Sequence, residues 1–223
     1  MDNKTSFNAI EYDKNVRKVI PFYDEIHNQI FSLINAYFGN KALSLLDTGC
    51  GSGTFALKAF DSLELSEVVL CDPSEKMLED ARQKLTDKNC IFQPIGSENL
   101  AFENRFDVVT AIQSHHYFDR ETREKALRNC YKALKSGGVF IYFENTAPFT
   151  ENGKKIVLKR VENFGIEAGR SEEEVKAHSQ RYNREYFPIN IDEHLDLLKR
   201  TGFEAAELFW CSYMQCGFYG IKG

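Results

Sequence analysis

Leu45-Leu46-Asp47-Thr48-Gly49-Cys50-Gly51-Ser52-Gly53 is the stretch whose reading decides the fold. Ala42 to Leu46 is a short apolar run ending on Asp47, the pattern of a buried parallel strand. Thr54 to Phe60 continues as the helix that the loop opens. Glycine at alternate positions permits tight turns and lets a ligand approach the main chain without Cβ interference. The open helix N-terminus attracts negative charge. A pyrophosphate loop usually reads G-x-G-x-x-G. Here position 54 is threonine, and acidic Asp47 stands two positions before the first glycine. A carboxylate so close repels a pyrophosphate and suits a zwitterionic amino acid.

Outward from the loop, strand and helix signals alternate. Ile20 to Phe38 carries apolar residues at helical spacing and is stopped by Gly39-Asn40. Val68 to Cys71 reads as a second buried strand, followed by Asp72-Pro73 and a helix from Glu75 to Leu85 with Ser74 before it. Cys90 to Ile95, Phe106 to Ile112 and Val139 to Phe143 read as further strands. An amphipathic helix spans Glu121 to Leu134, and Lys135 to Gly138 reads as a helix stop and turn. Two charged helical stretches follow, about Gly153 to Phe164 and Ser171 to Arg181, the second opened by a Ser171/Glu174 capping box. Asp192 to Arg200 resumes a helix. Ala205 to Cys211 and Met214 to Ile221 are close enough to form an antiparallel hairpin. The alternation implies an α/β fold with a parallel sheet covered by helices on both faces. At 223 residues the chain is expected to be a single domain, 1–223, with an N-terminal helical segment over 1–40 and a cap inserted at 146–190.

The D-x-G-x-G-x-G pattern from Asp47 to Gly53 resembles motif I of the class I S-adenosylmethionine-dependent methyltransferases. Asp72 closes the second strand at a βαβ spacing from the loop, where a carboxylate can accept both ribose hydroxyls. A nicotinamide enzyme would use the same position, and Asp72 could instead cap the helix after Pro73. Gly96 to Phe102 resembles the family's adenine-side loop, with Ser97 where an aspartate is usual and the loop one residue shorter. Ser136-Gly137-Gly138 and the terminal hairpin match the turn before the fifth strand and the reversed seventh strand. The resemblance implies a Rossmann-like sheet with an antiparallel C-terminal strand and S-adenosylmethionine as cofactor. Its expected contacts are Tyr23, Asp47, Gly49, Cys50, Gly51, Gly53, Asp72, Pro73, Ser97, Glu98 and Gln113.

Methyl transfer is an in-line displacement that needs a positioned acceptor, with a base only where the acceptor must lose a proton. Gln113-Ser114-His115-His116-Tyr117-Phe118 leaves the fourth strand at the sheet edge where ligands bind. His115 and His116 are the candidate bases, weighed against packing around the cofactor. Glu144 ends the fifth strand and could face the acceptor or serve as a turn residue. Tyr23 could close over a sulfonium through its π-face or simply pack on the sheet.

Ile20-Pro21-Phe22-Tyr23, Ser171-Glu172-Glu173-Glu174 and the Gly202-Phe203 to Trp210-Cys211 run are similar to the carboxy-S-adenosylmethionine synthases of tRNA wobble-uridine modification. In that family a tyrosine after the proline contacts the cofactor, which matches Tyr23. An arginine shortly after the S-E-x-E segment binds the extra carboxylate. Here that position is Ser179, with Arg181 two residues later, and Gly51 stands where the synthases place a serine. Serine cannot supply a bidentate cation. The expected reaction is therefore ordinary methyl transfer to a small-molecule acceptor, with synthase activity or non-catalytic cofactor binding as alternatives.

Net charge of −5 provides no footprint for a polyanion, so nucleic acid is disfavoured as main partner. The six cysteines lack a C-x-x-C pair, and neither a metal site nor a dense disulfide framework is expected. Several sit in apolar strand-like runs, where reduced cysteine acts as a small hydrophobe. No signal-peptide pattern or membrane-length apolar run is seen, so a cytoplasmic protein without membrane contact is expected. The oligomeric state is open, a homodimer included.

Overall fold

The computed structural model describes residues 13–223, so the first twelve residues of the expected 1–40 segment lie outside it. Its elements are α1 (Tyr23–Phe38), β1 (Leu43–Thr48), α2 (Thr54–Ser62), β2 (Leu65–Cys71), α3 (Glu75–Lys84), β3 (Ile91–Gln93), β4 (Phe106–Ile112) and α4 (Arg120–Ala133). There follow β5 (Leu134–Asn145), α5 (Glu151–Glu167), α6 (Glu172–Ser179), α7 (Ile191–Thr201), β6 (Ala205–Ser212) and β7 (Gln215–Ile221). The strands form one seven-stranded sheet in the order β3-β2-β1-β4-β5-β7-β6. The pairings among β1 to β5 are parallel, and β7 runs antiparallel to both β5 and β6. This is the Rossmann-like sheet with a reversed C-terminal strand that the resemblance to the class I methyltransferases implies.

Side chains alternate across a strand, so neighbouring residues serve opposite faces. Leu45, Val108, Ile141 and Phe143 pack with α1 residues Ile26, Ile30 and Ile34 on one face. Leu46, Val109, Phe140 and Tyr142 pack with Leu127 of α4 and Leu198 of α7 on the other. The strand order reverses between β1 and β4, and in open α/β sheets the ligand crevice opens at the carboxyl ends of strands beside such a switch point. The glycine loop leaves β1 at that place.

Four local expectations are corrected. The stretch Lys135 to Gly138, read as a turn, is the first part of β5, with a register irregularity opposite Phe106 and Val108. The third strand is confined to Ile91–Gln93 because Pro94 has no N–H for the ladder. The first helix begins at Tyr23, after Pro21 and a left-handed Phe22 at φ 57°. Cys211 and Cys216, read as reduced, face one another across the β6–β7 hairpin and are joined as a disulfide. No helix among the described residues is long and apolar enough to cross a membrane.

Candidate functional site

The loop is held open by its neighbour strand. The N–H groups of Gly49 and Cys50 both donate to the Cys71 carbonyl, at 2.7 and 3.1 Å, and Gly51 N–H donates to the Asp72 carboxylate at 2.9 Å. These bonds need a tight reversal, which Gly49 makes at φ 69°; a Cβ there would lie 2.6 Å from that of Ser114. At Gly51, φ 55°, a Cβ would project into open space, so this backbone faces the cleft rather than protein. Tyr23, His27, Asp47, Cys50, Thr54 and Ile112 are among the residues lining this cleft.

His27 Nδ1, on the cleft wall, is buried without a protein partner, as is Ser114 Oγ, whose side chain packs against Gly49. Thr48 Oγ1, on the last residue of β1, and Gln113 Nε2, on the first residue after β4, are likewise unpartnered. Buried polar groups are costly unless hydrogen-bonded. An unpartnered imidazole nitrogen on the wall of a cleft floored by a glycine loop fits a polar ligand that supplies the missing bond, as the amino-acid end of S-adenosylmethionine would. Gln113 is held at φ 54° with its N–H donated to the Phe143 carbonyl. Such local strain recurs at ligand clamps.

Asp47 is buried, and one of its oxygens accepts from Thr110 Oγ1 at 2.7 Å. Burial pushes its carboxyl up to about 7, and nearby Asp72 adds to the rise. A carboxyl raised above its unfolded value adds stability below about pH 4, and this is lost as pH rises through 7. Asp47→Asn is therefore expected to stabilise the ligand-free chain at pH 8, by up to about 4 kcal/mol, and little at pH 4. Thermal melts at both pH values check this. An equal shift at both would contradict it.

Asp72 ends β2, buried, and accepts from Ser74 N–H at 2.8 Å as well as from Gly51. The cap of α3 is Ser74, whose hydroxyl accepts from Met77 N–H, and not Asp72. Pro73 is exposed beside it. In the loop after β3, Ser97 Oγ lies 2.9 Å from His115 Nε2, and Glu98 keeps one buried oxygen without a partner.

The two histidines occupy different environments. His115 is wholly buried, close to Phe118 and stacked on Phe140, and burial lowers it to about 4. His116 Nδ1 lies 2.6 Å from Glu144, which also accepts from the N–H groups of His115 and His116 at 2.9 and 2.8 Å. Burial alone would raise Glu144; His116 beside it and these bonds bring it down to about 2. A carboxylate on Nδ1 leaves Nε2 as the nitrogen free for proton transfer. Tyr117 and Tyr186 cover the ring. Below it the Arg123 guanidinium, buried, donates to the carbonyls of His115, Phe118 and Phe187 and so fixes the turn after β4.

Sequence reasoning missed three contributors. Asp13 accepts from Ser52, Thr54 and Lys84 and ties the N-terminal segment onto the loop. His27, one helical turn after Tyr23, was hidden in an apolar stripe. Arg123 lies within the amphipathic helix read over Glu121 to Leu134 and carries no local signal that sets it apart. Glu144 was weighed, but its pairing with His116 spans 28 positions and has no local signal.

Residues 45–138 match the family model described as a methyltransferase domain. The carboxy-S-adenosyl-L-methionine synthase of Staphylococcus epidermidis is 26% identical over 223 aligned residues, covering 98% of this chain and 96% of that protein. The synthase of Nautilia profundicola is 24% identical, covering 90% and 86%. Among solved structures, magnesium protoporphyrin IX methyltransferase from Synechocystis with bound S-adenosylhomocysteine superposes with a TM-score of 0.65 at 15% identity, covering 98% of this chain and 90% of that one. At that identity the likeness speaks for the fold.

Proposed function

We propose that this chain, a member of the class I S-adenosylmethionine-dependent methyltransferases, transfers a methyl group to a small-molecule acceptor whose O–H or N–H is deprotonated by His116. The observation that carries the reading is the cleft on the glycine loop, with His27 Nδ1 unpartnered on its wall and Ser114, two residues before the carboxylate-held His116, packed against Gly49. The cofactor, when bound, supplies a methyl group on a positively charged sulfur. Tyr23, Asp47, Gly49, Cys50, Gly51 and Gly53 hold its amino-acid end. Asp72 and Pro73 hold the ribose side, and Ser97, Glu98 and Gln113 the adenine side and cofactor wall. Glu144 fixes the His116 ring with Nε2 as the proton acceptor, and His115 braces it from the core. Residues 146–190 act as a cap within one domain. Because Tyr186 lies over His116, the cap lifts to admit the acceptor and excludes water when it settles. A cytoplasmic setting and a net charge of −5 suit a small acceptor better than a nucleic acid.

His116→Gln is expected to slow transfer from methyl-labelled S-adenosylmethionine on the order of 10²-fold, with S-adenosylhomocysteine affinity unchanged. The assay counts label in the small-molecule fraction of a metabolite extract. Label confined to protein or RNA, or a His116→Gln rate equal to wild type, would contradict the proposal.

A second reading has one observation in its favour. Arg181, past the end of α6, hydrogen-bonds the Tyr117 hydroxyl at the exit of β4 and pairs with Glu185 at 2.6 Å. Ser179 Oγ is buried without a partner. A guanidinium there could meet a carboxylated cofactor, as the resemblance to the synthases implies. Native mass spectrometry of the purified chain separates the readings, because a retained carboxylated cofactor is heavier than S-adenosylmethionine.

A further inference from the structure

His27 lies on α1 one turn beyond Tyr23, so both side chains share a helix face and both line the cleft above the glycine loop. The imidazole is 1% exposed and stands edge-on to Tyr23 and Phe55, with ring centroids 4.8 and 5.5 Å away. These two aromatic neighbours give it a fixed orientation and no hydrogen bond. Its Nδ1 is buried with no partner in the protein. A histidine kept only for packing would not leave a buried nitrogen orphaned, since an aromatic hydrocarbon fills that space without the desolvation cost.

The ring is also neutral. Burial, reinforced by the charge of Lys58, lowers it to about 3 against the opposing pull of Asp24. A neutral imidazole has one N–H and one lone pair to offer. On the cofactor reading above, the groups the ligand brings to this end of the cleft are an ammonium and a carboxylate. Gly49, Cys50, Gly51 and Gly53 already donate their N–H groups within the protein, so the N–H groups at the start of α2 are the ones that favour the carboxylate. The ammonium, with three N–H donors, then needs acceptors, and the cleft offers the free oxygen of Asp47 and one more.

Resting on the cofactor reading above, we propose that Nδ1 of His27 accepts a hydrogen bond from the α-ammonium group of the bound cofactor. His27 is thereby a residue that recognises the amino-acid end and discriminates against adenosine thioethers lacking it. A neutral acceptor serves a ligand carrying two positive centres better than a protonated imidazole, which would repel both.

The test is calorimetric binding to the full chain with two probes, S-adenosylhomocysteine and 5′-methylthioadenosine, the second of which has no amino-acid end. His27→Phe keeps the aromatic packing and removes the acceptor, while His27→Gln retains a polar acceptor. The expected result is a ten- to hundredfold loss of S-adenosylhomocysteine affinity in His27→Phe, on the order of one bond to a charged group. Methylthioadenosine affinity stays within about twofold, and His27→Gln recovers much of the loss. Wild-type affinity for S-adenosylhomocysteine in His27→Phe, or an equal loss for both probes, overturns the assignment. Failure of the unaltered chain to bind either probe overturns instead the cofactor reading on which it rests.

Discussion

Asp72→Ala is expected to reduce affinity for S-adenosylhomocysteine by roughly 10²- to 10⁴-fold while the chain stays folded. The carboxylate sits at the end of β2, the strand next to the loop, where a ribose bound across the switch point presents its hydroxyls. One oxygen accepts from Gly51 N–H and the other from Ser74 N–H. Each oxygen keeps a further lone pair, so both backbone bonds are compatible with two ribose hydroxyls. The backbone bonds aim the carboxylate, and the ligand uses what remains. Helix α3 keeps its Ser74 side-chain cap in the variant, so the local cost is the acceptor lost to the Gly51 and Ser74 N–H groups. Calorimetry alongside a thermal melt separates binding from folding. Unchanged affinity in a folded variant would remove the ribose role.

Glu144→Ala is expected to destabilise the fold by about 3–5 kcal/mol and to abolish transfer. Glu144 is completely buried and bonded to three donors, two of them backbone N–H groups that no other residue satisfies in the same geometry. Its carboxyl is held at about 2, below the ordinary carboxylate range. A lowered value adds stability above the unfolded pKa, and that stability is lost as pH falls through the folded one. The deficit of Glu144→Gln relative to wild type should therefore shrink between about pH 4.5 and pH 2. Denaturant unfolding across that range reads the difference. A Glu144→Ala chain within about 1 kcal/mol of wild type would show that the buried dyad is not a structural keystone of the site.

The sheet was legible because its signals are local. Apolar runs punctuated by Asp47 and Asp72, with glycines between strand and helix, mark the parallel strands without tertiary information, whereas the switch point needs the strand order. The cap of α6 was legible for the same reason, since Ser171 and Glu174 form the reciprocal box their spacing implied. What escaped depends on distance in sequence. The junction at Lys135 to Gly138 resembles a turn until β4 pairs with it. Cys211 and Cys216 meet only once the hairpin sets its register. His115 and His116 are adjacent and chemically identical in the sequence. One is bonded to Ser97 and the other to Glu144, and only those partners tell a core ring from a candidate base.

Asp47 and Asp72 bear on each other in a way the sequence hinted at only by placing both near the loop. Both carboxyls are raised by burial in the ligand-free protein, and Asp72 contributes to the rise at Asp47. A cationic ligand end would relieve that repulsion, so its binding would add stability. A pyrophosphate brings charge of the wrong sign to the same place.

Calorimetric titration of the purified chain with S-adenosylhomocysteine and with NADH tests this directly. The account predicts saturable one-site binding of S-adenosylhomocysteine and no measurable heat from NADH. Binding of NADH with none of S-adenosylhomocysteine would contradict it.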